Sequence, residues 1–324
     1  MGRFFLFFLA QHLWLLGRKY QKKPMFNLDS YEKHSQWYHQ KFPTEELKSA
    51  YLKGHLDTKR LTIGKWLQQI FFRSLNPLLI NKNHTWLTLG DAYGFDAQYI
   101  LNSGNRAIAS DLDTEFLGIA QKHQIIEDFC VQNAEALSYP ENAFDYILCK
   151  ESYHHFPRPY AALYEMARVV KKGFILMEPQ DPVLKMPFLL GLVNIVGAFS
   201  DSLSRRLWKN RFSYEPVGNF VYKLSERELE KFAAGLNLPM VAFKKLNPNF
   251  YFEGANESMA NKRNLKFLSI CFKKQMRDLL SKLGIIPAQV LCALVFKTTP
   301  DERTLKDLRL AGYQIIKIPS NPFL

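Results

Sequence analysis

From residue 85 onward, short apolar runs rich in β formers alternate with amphipathic segments: TWLTL, RAIAS, FCVQN, FDYILC and GFILMEP. Such runs read as buried strands, and strands separated by helical patterns pair in parallel through crossover helices. The pattern predicts an α/β fold with a doubly wound, mostly parallel sheet and helices on both faces. Further strands are expected at PMVAFKKL and QVLCALVFK, with one more helix and a final strand, YQIIKI, in residues 301–324. The chain divides by pattern into a hydrophobic and basic segment at 1–24, a helical lead-in at 25–80, and a main domain at 81–324. That domain carries insertions at about 183–225 and 254–286, the second read as mostly helical and basic. With 324 residues, 47% of them hydrophobic, there is ample material for a core.

The first of these strands runs into WLTLGDAYGFDAQYI, residues 86–100. Gly90 permits a tight turn, Gly94 lets the following helix approach, and the helix N-terminus offers unpaired N–H groups to a polar ligand. The spacing does not match the dinucleotide G-x-G-x-x-G pattern. Asp111, ending the second strand in IASDLD about 20 residues later, is placed to accept both hydroxyls of a ribose. A nucleoside ligand is the expectation.

The run FCVQNAEALSYPENAFDYILCKESYHHFPRPYAALYEMARVVKKGFILMEP resembles the class I S-adenosylmethionine-dependent methyltransferases over about residues 84–180. The resemblance implies a Rossmann-like fold and S-adenosyl-L-methionine as cofactor. It further implies that Gly90 to Gly94, with Asp91 in the turn, hold the methionine end and that Asp111 and Leu112 lie at the ribose. Asn133 and Ala134 would edge the adenine, with Cys149 and Lys150 on the far side of the pocket. Three positions depart from the family pattern: Thr88 stands for its strand-one acid, Ala92 for its middle glycine and Asn133 for its adenine-reading aspartate. Asp91 or Asp96 is expected to offset the acid missing at Thr88, and an amide oxygen at Asn133 still accepts from an adenine amino group.

Methyl transfer needs alignment more than covalent chemistry, because the sulfonium already carries an activated methyl. A hydroxyl acceptor also benefits from a general base, for which His154 and His155 are the first candidates and Glu151 the next. Loop bracing is the alternative role for the histidine pair. Glu178 reads as either a solvated strand end or a pocket wall. Tyr31, Trp37 and Tyr38 read as core packing on an N-terminal helix, with a substrate lid as the alternative.

Charge and patterning narrow the surroundings. Cys130, Cys149, Cys271 and Cys292 form no C-x-x-C pair, so no metal site or disulfide framework is expected, and a reducing, cytoplasmic setting fits. The net charge of +13 favours anionic partners. Phe4 to Leu16 is too short to span a bilayer and precedes a basic cluster. It reads as an interfacial anchor, with a packed helix, or a signal peptide or short span, as alternatives. Met186 to Phe199 repeats that order, an apolar stretch followed by Arg205 to Arg211, so peripheral attachment to an anionic membrane is expected. The leading functional expectation is a methyltransferase acting at oxygen or carbon on a small or lipid- or glycan-linked acceptor. A nucleic-acid methyltransferase is the alternative that charge favours, but MEPQDP does not match the Asn/Asp-Pro-Pro-aromatic loop of base amino methylases. A non-catalytic, membrane-associated protein of the same fold is the third.

Overall fold

The computed structural model describes residues 32–33, 35–36, 39–56, 60–181, 186–207, 212–215 and 220–323. The expected anchor at 1–24 and the aromatic residues Tyr31, Trp37 and Tyr38 lie outside them. Among the described residues, the helices α1 (Glu45–Leu56) and α2 (Ile63–Leu79) lead directly into the sheet. The Thr62 hydroxyl starts α2 by accepting from Lys65 N at 3.3 Å.

The sheet alternates with helices in the order β1 (Thr85–Leu89), α3 (Phe95–Asn102), β2 (Arg106–Asp111), α4 (Glu115–Lys122), β3 (Asp128–Val131) and β4 (Phe144–Lys150). A 3-10 turn at Tyr153–His155 leads to α5 (Pro159–Val169) and β5 (Val170–Pro179). Then come α6 (Pro187–Phe199), α7 (Asp201–Leu207), α8 (Glu226–Gly235), β6 (Met240–Leu246), α9 (Leu265–Lys282), β7 (Val290–Phe296), α10 (Glu302–Leu310) and β8 (Gln314–Lys317). In space the strands lie β3-β2-β1-β4-β5-β7-β6-β8. The pairings from β3 to β5 are parallel, and those of β7 with β5 and β6, and of β8 with β6, are antiparallel. The fold is therefore the expected mostly parallel, Rossmann-like sheet.

Strict alternation along the strands builds two cores. Trp86, Tyr146 and Leu148 face the layer of α2, α3, α4 and α10, while Leu87, Leu89, Ile147 and Cys149 face α5 and α8. Every residue of β7 is buried, as expected of a strand covered on both faces.

The stretch 254–286 is mostly helical, as expected, through α9, which follows turns at 254–264: Gly254 has φ +86°, and Asn264 caps α9 by accepting from Lys266 N and Phe267 N. One local expectation needs correction. β5 begins three residues earlier than GFILMEP, because the chain passes directly from α5 into a strand whose Val170 pairs with Phe144. All four cysteines are free thiols.

Candidate active site

The carboxyl ends of the parallel strands open into a cavity of about 700 Å³. Of the residues singled out from the sequence, Gly90, Asp91, Asp111, Leu112, Asn133 and Ala134 line it. So do Lys150, Glu151 and His155. Gly94, Cys149 and His154 do not stand among the lining residues, and each has a reason.

Gly94 has φ +76°, and a Cβ there would meet Ile126 Cγ2 at 3.0 Å. Its open side faces the core, so it serves helix packing and not the approach of a ligand. Gly90 is different. It has φ +69°, and a Cβ would stand 2.3 Å from Ser152 Oγ, whose hydroxyl donates to Gly90 O at 2.9 Å. This glycine lets the β1 turn close against the loop after β4 beside the cavity. Cys149 is fully buried on the α5 side of the sheet, where burial raises its thiol well above the usual range.

The N-terminus of α3 is closed by the protein itself. Asp91 accepts from Ala97 N at 2.9 Å and Asp96 N at 3.3 Å, and the Thr88 hydroxyl donates to it at 3.0 Å. The N–H groups expected to face a ligand are in part capped already. Asp96, which is buried, pairs with Lys150 Nζ at 3.2 Å, the lysine side chain being 12% exposed at the cavity. Burial disfavours the charge on Lys150, but the carboxylates of Asp96, Glu151 and Asp91 outweigh it and hold the ammonium protonated.

Asp111 sits across the turn, at the end of β2. Burial pushes its carboxyl up to about 6, against hydrogen bonds from the backbone of Asp113 and Leu112. The opposite wall is a tied loop. Asn133 Oδ1 accepts from Glu135 N at 2.9 Å, and Glu135 accepts from Arg158 N and Nε at 2.6 and 2.8 Å. Glu135 thus joins the loop after β3 to the loop after β4, a link nothing in the local sequence announces.

Behind the cavity, Glu178 is fully buried, neither a solvated strand end nor a pocket wall. Its Oε1 accepts from Ser152 N and Tyr153 N, both at 2.9 Å, and its Oε2 lies 2.5 Å from His154 Nδ1. Burial opposes charge on His154, yet Glu178, with Glu215 and Glu151, raises its pKa overall. His155 Nδ1 lies 2.6 Å from Glu215 Oε2. Glu151, with φ +54°, stands at the cavity edge in a left-handed conformation that a non-glycine residue adopts only under constraint.

The lead-in helices close the remaining side, a contribution that sequence reasoning missed. Tyr51 and His55 of α1 and Phe72 of α2 line the cavity, and His55 stacks on Phe95 with ring centroids 3.8 Å apart. Burial, with Lys65 and Lys150 nearby, lowers His55 to about 4, so it is neutral at pH 7. Amphipathic periodicity revealed the helices but carried no signal of what they cover. A second cavity, of about 650 Å³, adjoins the first through Tyr51, His55, Gln68 and Glu151 and extends to Tyr251 and Asn256 after β6.

Residues 87–177 match a family described as a methyltransferase domain. A methyltransferase domain therefore sits on the parallel, Rossmann-like part of the sheet. Over 111 residues the sequence is 32% identical to the uncharacterized methyltransferase YcgJ of Bacillus subtilis, a match covering 31% of this chain and 44%, less than half, of that relative. The crystal structure of YcgJ superposes with a TM-score of 0.43 and 20% identity, covering 70% of this chain and 99% of that one. Magnesium protoporphyrin IX methyltransferase from Synechocystis PCC 6803, with bound S-adenosylmethionine, superposes at 0.41 with 12% identity, covering 71% and 78%.

S-adenosylmethionine would find in this cavity the kinds of group it needs: a tight glycine turn with no room for a Cβ, an acid at the end of β2 and an amide-bearing loop opposite it, which could meet an amino acid, a ribose and a base.

Proposed function

We propose that this chain transfers the methyl group of S-adenosylmethionine to an oxygen or carbon of a small or lipid- or glycan-linked acceptor. The observation that carries the reading is the junction of the two cavities at Tyr51, His55, Gln68 and Glu151. In this reading Gly90 and Asp91 hold the methionine end, Asp111 the ribose hydroxyls, and Leu112, Asn133 and Ala134 the adenine. Lys150 orders the floor through Asp96 and makes no direct contact. The acceptor enters through the second cavity, whose aromatic and amide lining suits an amphipathic molecule. An acceptor hydroxyl would lose its proton at the His155–Glu215 end of the cavity, while Glu178 and His154 brace the loop that carries it. Excluding water and aligning the nucleophile supply most of the rate. Calorimetry with S-adenosylhomocysteine, followed by mass spectrometry of extracts treated with enzyme and a deuterated-methyl cofactor, tests the assignment. The expected result is stoichiometric binding and one acceptor gaining a single labelled methyl; no binding by folded protein would overturn it.

A second part of the reading concerns location. No helix among the described residues is long and apolar enough to cross a membrane. Yet α6 buries only Val193, leaving Phe188 90% and Phe199 88% exposed. Along α9, Leu265, Leu268, Phe272, Met276, Leu279 and Leu283 are all exposed at intervals of three and four residues, which aligns them on one face. Exposed Lys266, Lys273 and Lys282 flank that stripe. A second copy would set lysine against lysine, whereas an anionic bilayer complements both features. These faces support peripheral attachment of the chain to such a membrane. Of the basic run Arg205 to Arg211, the last four residues fall outside the described residues, as does the N-terminal stretch.

A further inference from the structure

His154 and His155 of the 3-10 turn meet Glu215, about sixty residues later in the chain, with one ligand atom of each lying within 4.8 Å of the others. We propose that these three side chains bind a divalent transition-metal ion of the zinc type at the edge of the cofactor cavity. The sequence alone gives no expectation of a metal here, because Glu215 lies about sixty residues beyond the histidine pair and the cysteines form no C-x-x-C pair.

The donor set points to the class of ion. Two imidazole nitrogens and one carboxylate oxygen suit zinc and its first-row neighbours, whereas magnesium and calcium take oxygen ligands. The surroundings point to a built site. His154 turns Nδ1 to Glu178 Oε2 at 2.5 Å, and its Nε2 faces Glu215 Oε1 at 3.9 Å. Glu178 is itself immobilised by Ser152 N and Tyr153 N, so it fixes both the ring orientation and the tautomer that leaves the Nε2 lone pair toward the cluster. A carboxylate behind a histidine is the usual support of a metal ligand.

The adjustment needed is small. Tetrahedral zinc at about 2.0–2.1 Å from each ligand sets ligand atoms roughly 3.3 Å apart. The 2.6 Å contact between His155 Nδ1 and Glu215 Oε2 must therefore open, and the 3.9 Å separation from His154 must close. The His155 and Glu215 side chains are 26% and 24% exposed, so neither is locked by full burial. Three protein ligands leave a fourth position, as catalytic zinc sites do. His155 lines the cavity, so that position is within reach of an acceptor oxygen, which a cation would polarise and help to deprotonate. This last role rests on the proposed methyl transfer; the binding of the ion does not.

The test reads metal and not turnover. The full chain, stripped with chelator and with its accessible cysteines alkylated, is equilibrated with Zn²⁺, desalted and analysed for metal per chain. One zinc per chain is expected, undisturbed by excess Mg²⁺. His155→Ala and Glu215→Ala, both at partly exposed positions, should each weaken binding at least tenfold, and Glu178→Gln by about ten- to 100-fold through the supporting shell. Absence of zinc from wild-type chain that unfolds cooperatively would overturn the proposal, as would full retention by the His155→Ala/Glu215→Ala double variant. Zinc retention without S-adenosylhomocysteine binding would instead sink the methyl-transfer reading and leave this one standing.

Discussion

Glu178 and His154 are joined by a 2.5 Å hydrogen bond that lies beneath the loop after β4, with the carboxylate wholly removed from water. Because the same carboxylate accepts two backbone N–H groups, one side chain at the end of β5 organises the turn that carries both histidines.

Replacing Glu178 by Ala strands two buried amides and the His154 imidazole together. Breaking a buried pair on one side costs about 3–5 kcal/mol. Urea unfolding should show a loss of that order at pH 7, with Glu178→Gln losing less because its amide oxygen still accepts. A loss below about 1 kcal/mol would mean that the loop does not depend on this group.

With Asp111 at the ribose, as proposed, cofactor binding should depend on pH. Its carboxyl, pushed up to about 6 by burial, is largely protonated below that pH in the free protein and then presents fewer acceptors to the ribose hydroxyls. Affinity for S-adenosylhomocysteine should therefore rise with pH, by at most about tenfold per unit, up to about 6 and level off above it. Asp111→Ala should bind roughly ten- to 100-fold more weakly at pH 7 and lose the pH dependence, since charge-assisted hydrogen bonds contribute about 1.5–3 kcal/mol. A wild-type affinity constant from pH 5 to pH 8 would remove Asp111 from the ribose.

The two glycines of the β1 turn separate by measurement. Gly94→Ala adds a Cβ against Ile126 at φ +76° and should lower stability by about 1–2 kcal/mol, leaving the affinity of the folded protein for S-adenosylhomocysteine within about twofold. Gly90→Ala forces Ser152 aside and should weaken that affinity at least tenfold. Equal affinity in the two variants would show that the turn beside Ser152 does not shape the cofactor site.

The stripe on α9 offers a test of membrane attachment that leaves the core alone. Phe272→Glu with Leu279→Glu should fold normally, because both side chains are exposed in the wild type. Flotation with vesicles containing phosphatidylserine should drop at least several-fold, and high salt should weaken the wild type only in part. Unchanged flotation would take α9 out of the interface, and equal binding to neutral vesicles would remove the electrostatic component.

Alternating apolar runs were enough to define strands and their order along the chain, because a strand buried on both faces must be apolar throughout and a parallel neighbour requires a crossover helix. Gly90 and Asp111 were legible as cavity residues for a similar reason: a positive φ and an acid at a strand end are local properties. What tertiary packing decided is where side chains point and whom they meet. Periodicity does not distinguish Gly94, facing Ile126, from Gly90, facing Ser152. Nor could the chain announce that Asp91 would cap α3, or that Tyr51 and His55 would roof the cavity. The meeting of Glu178, His154, His155 and Glu215 joins β5, the turn after β4 and a segment beyond α7. Those residues become neighbours only when the sheet sets the ends of its strands side by side, since the contacts are long-range in sequence and no local pattern encodes them.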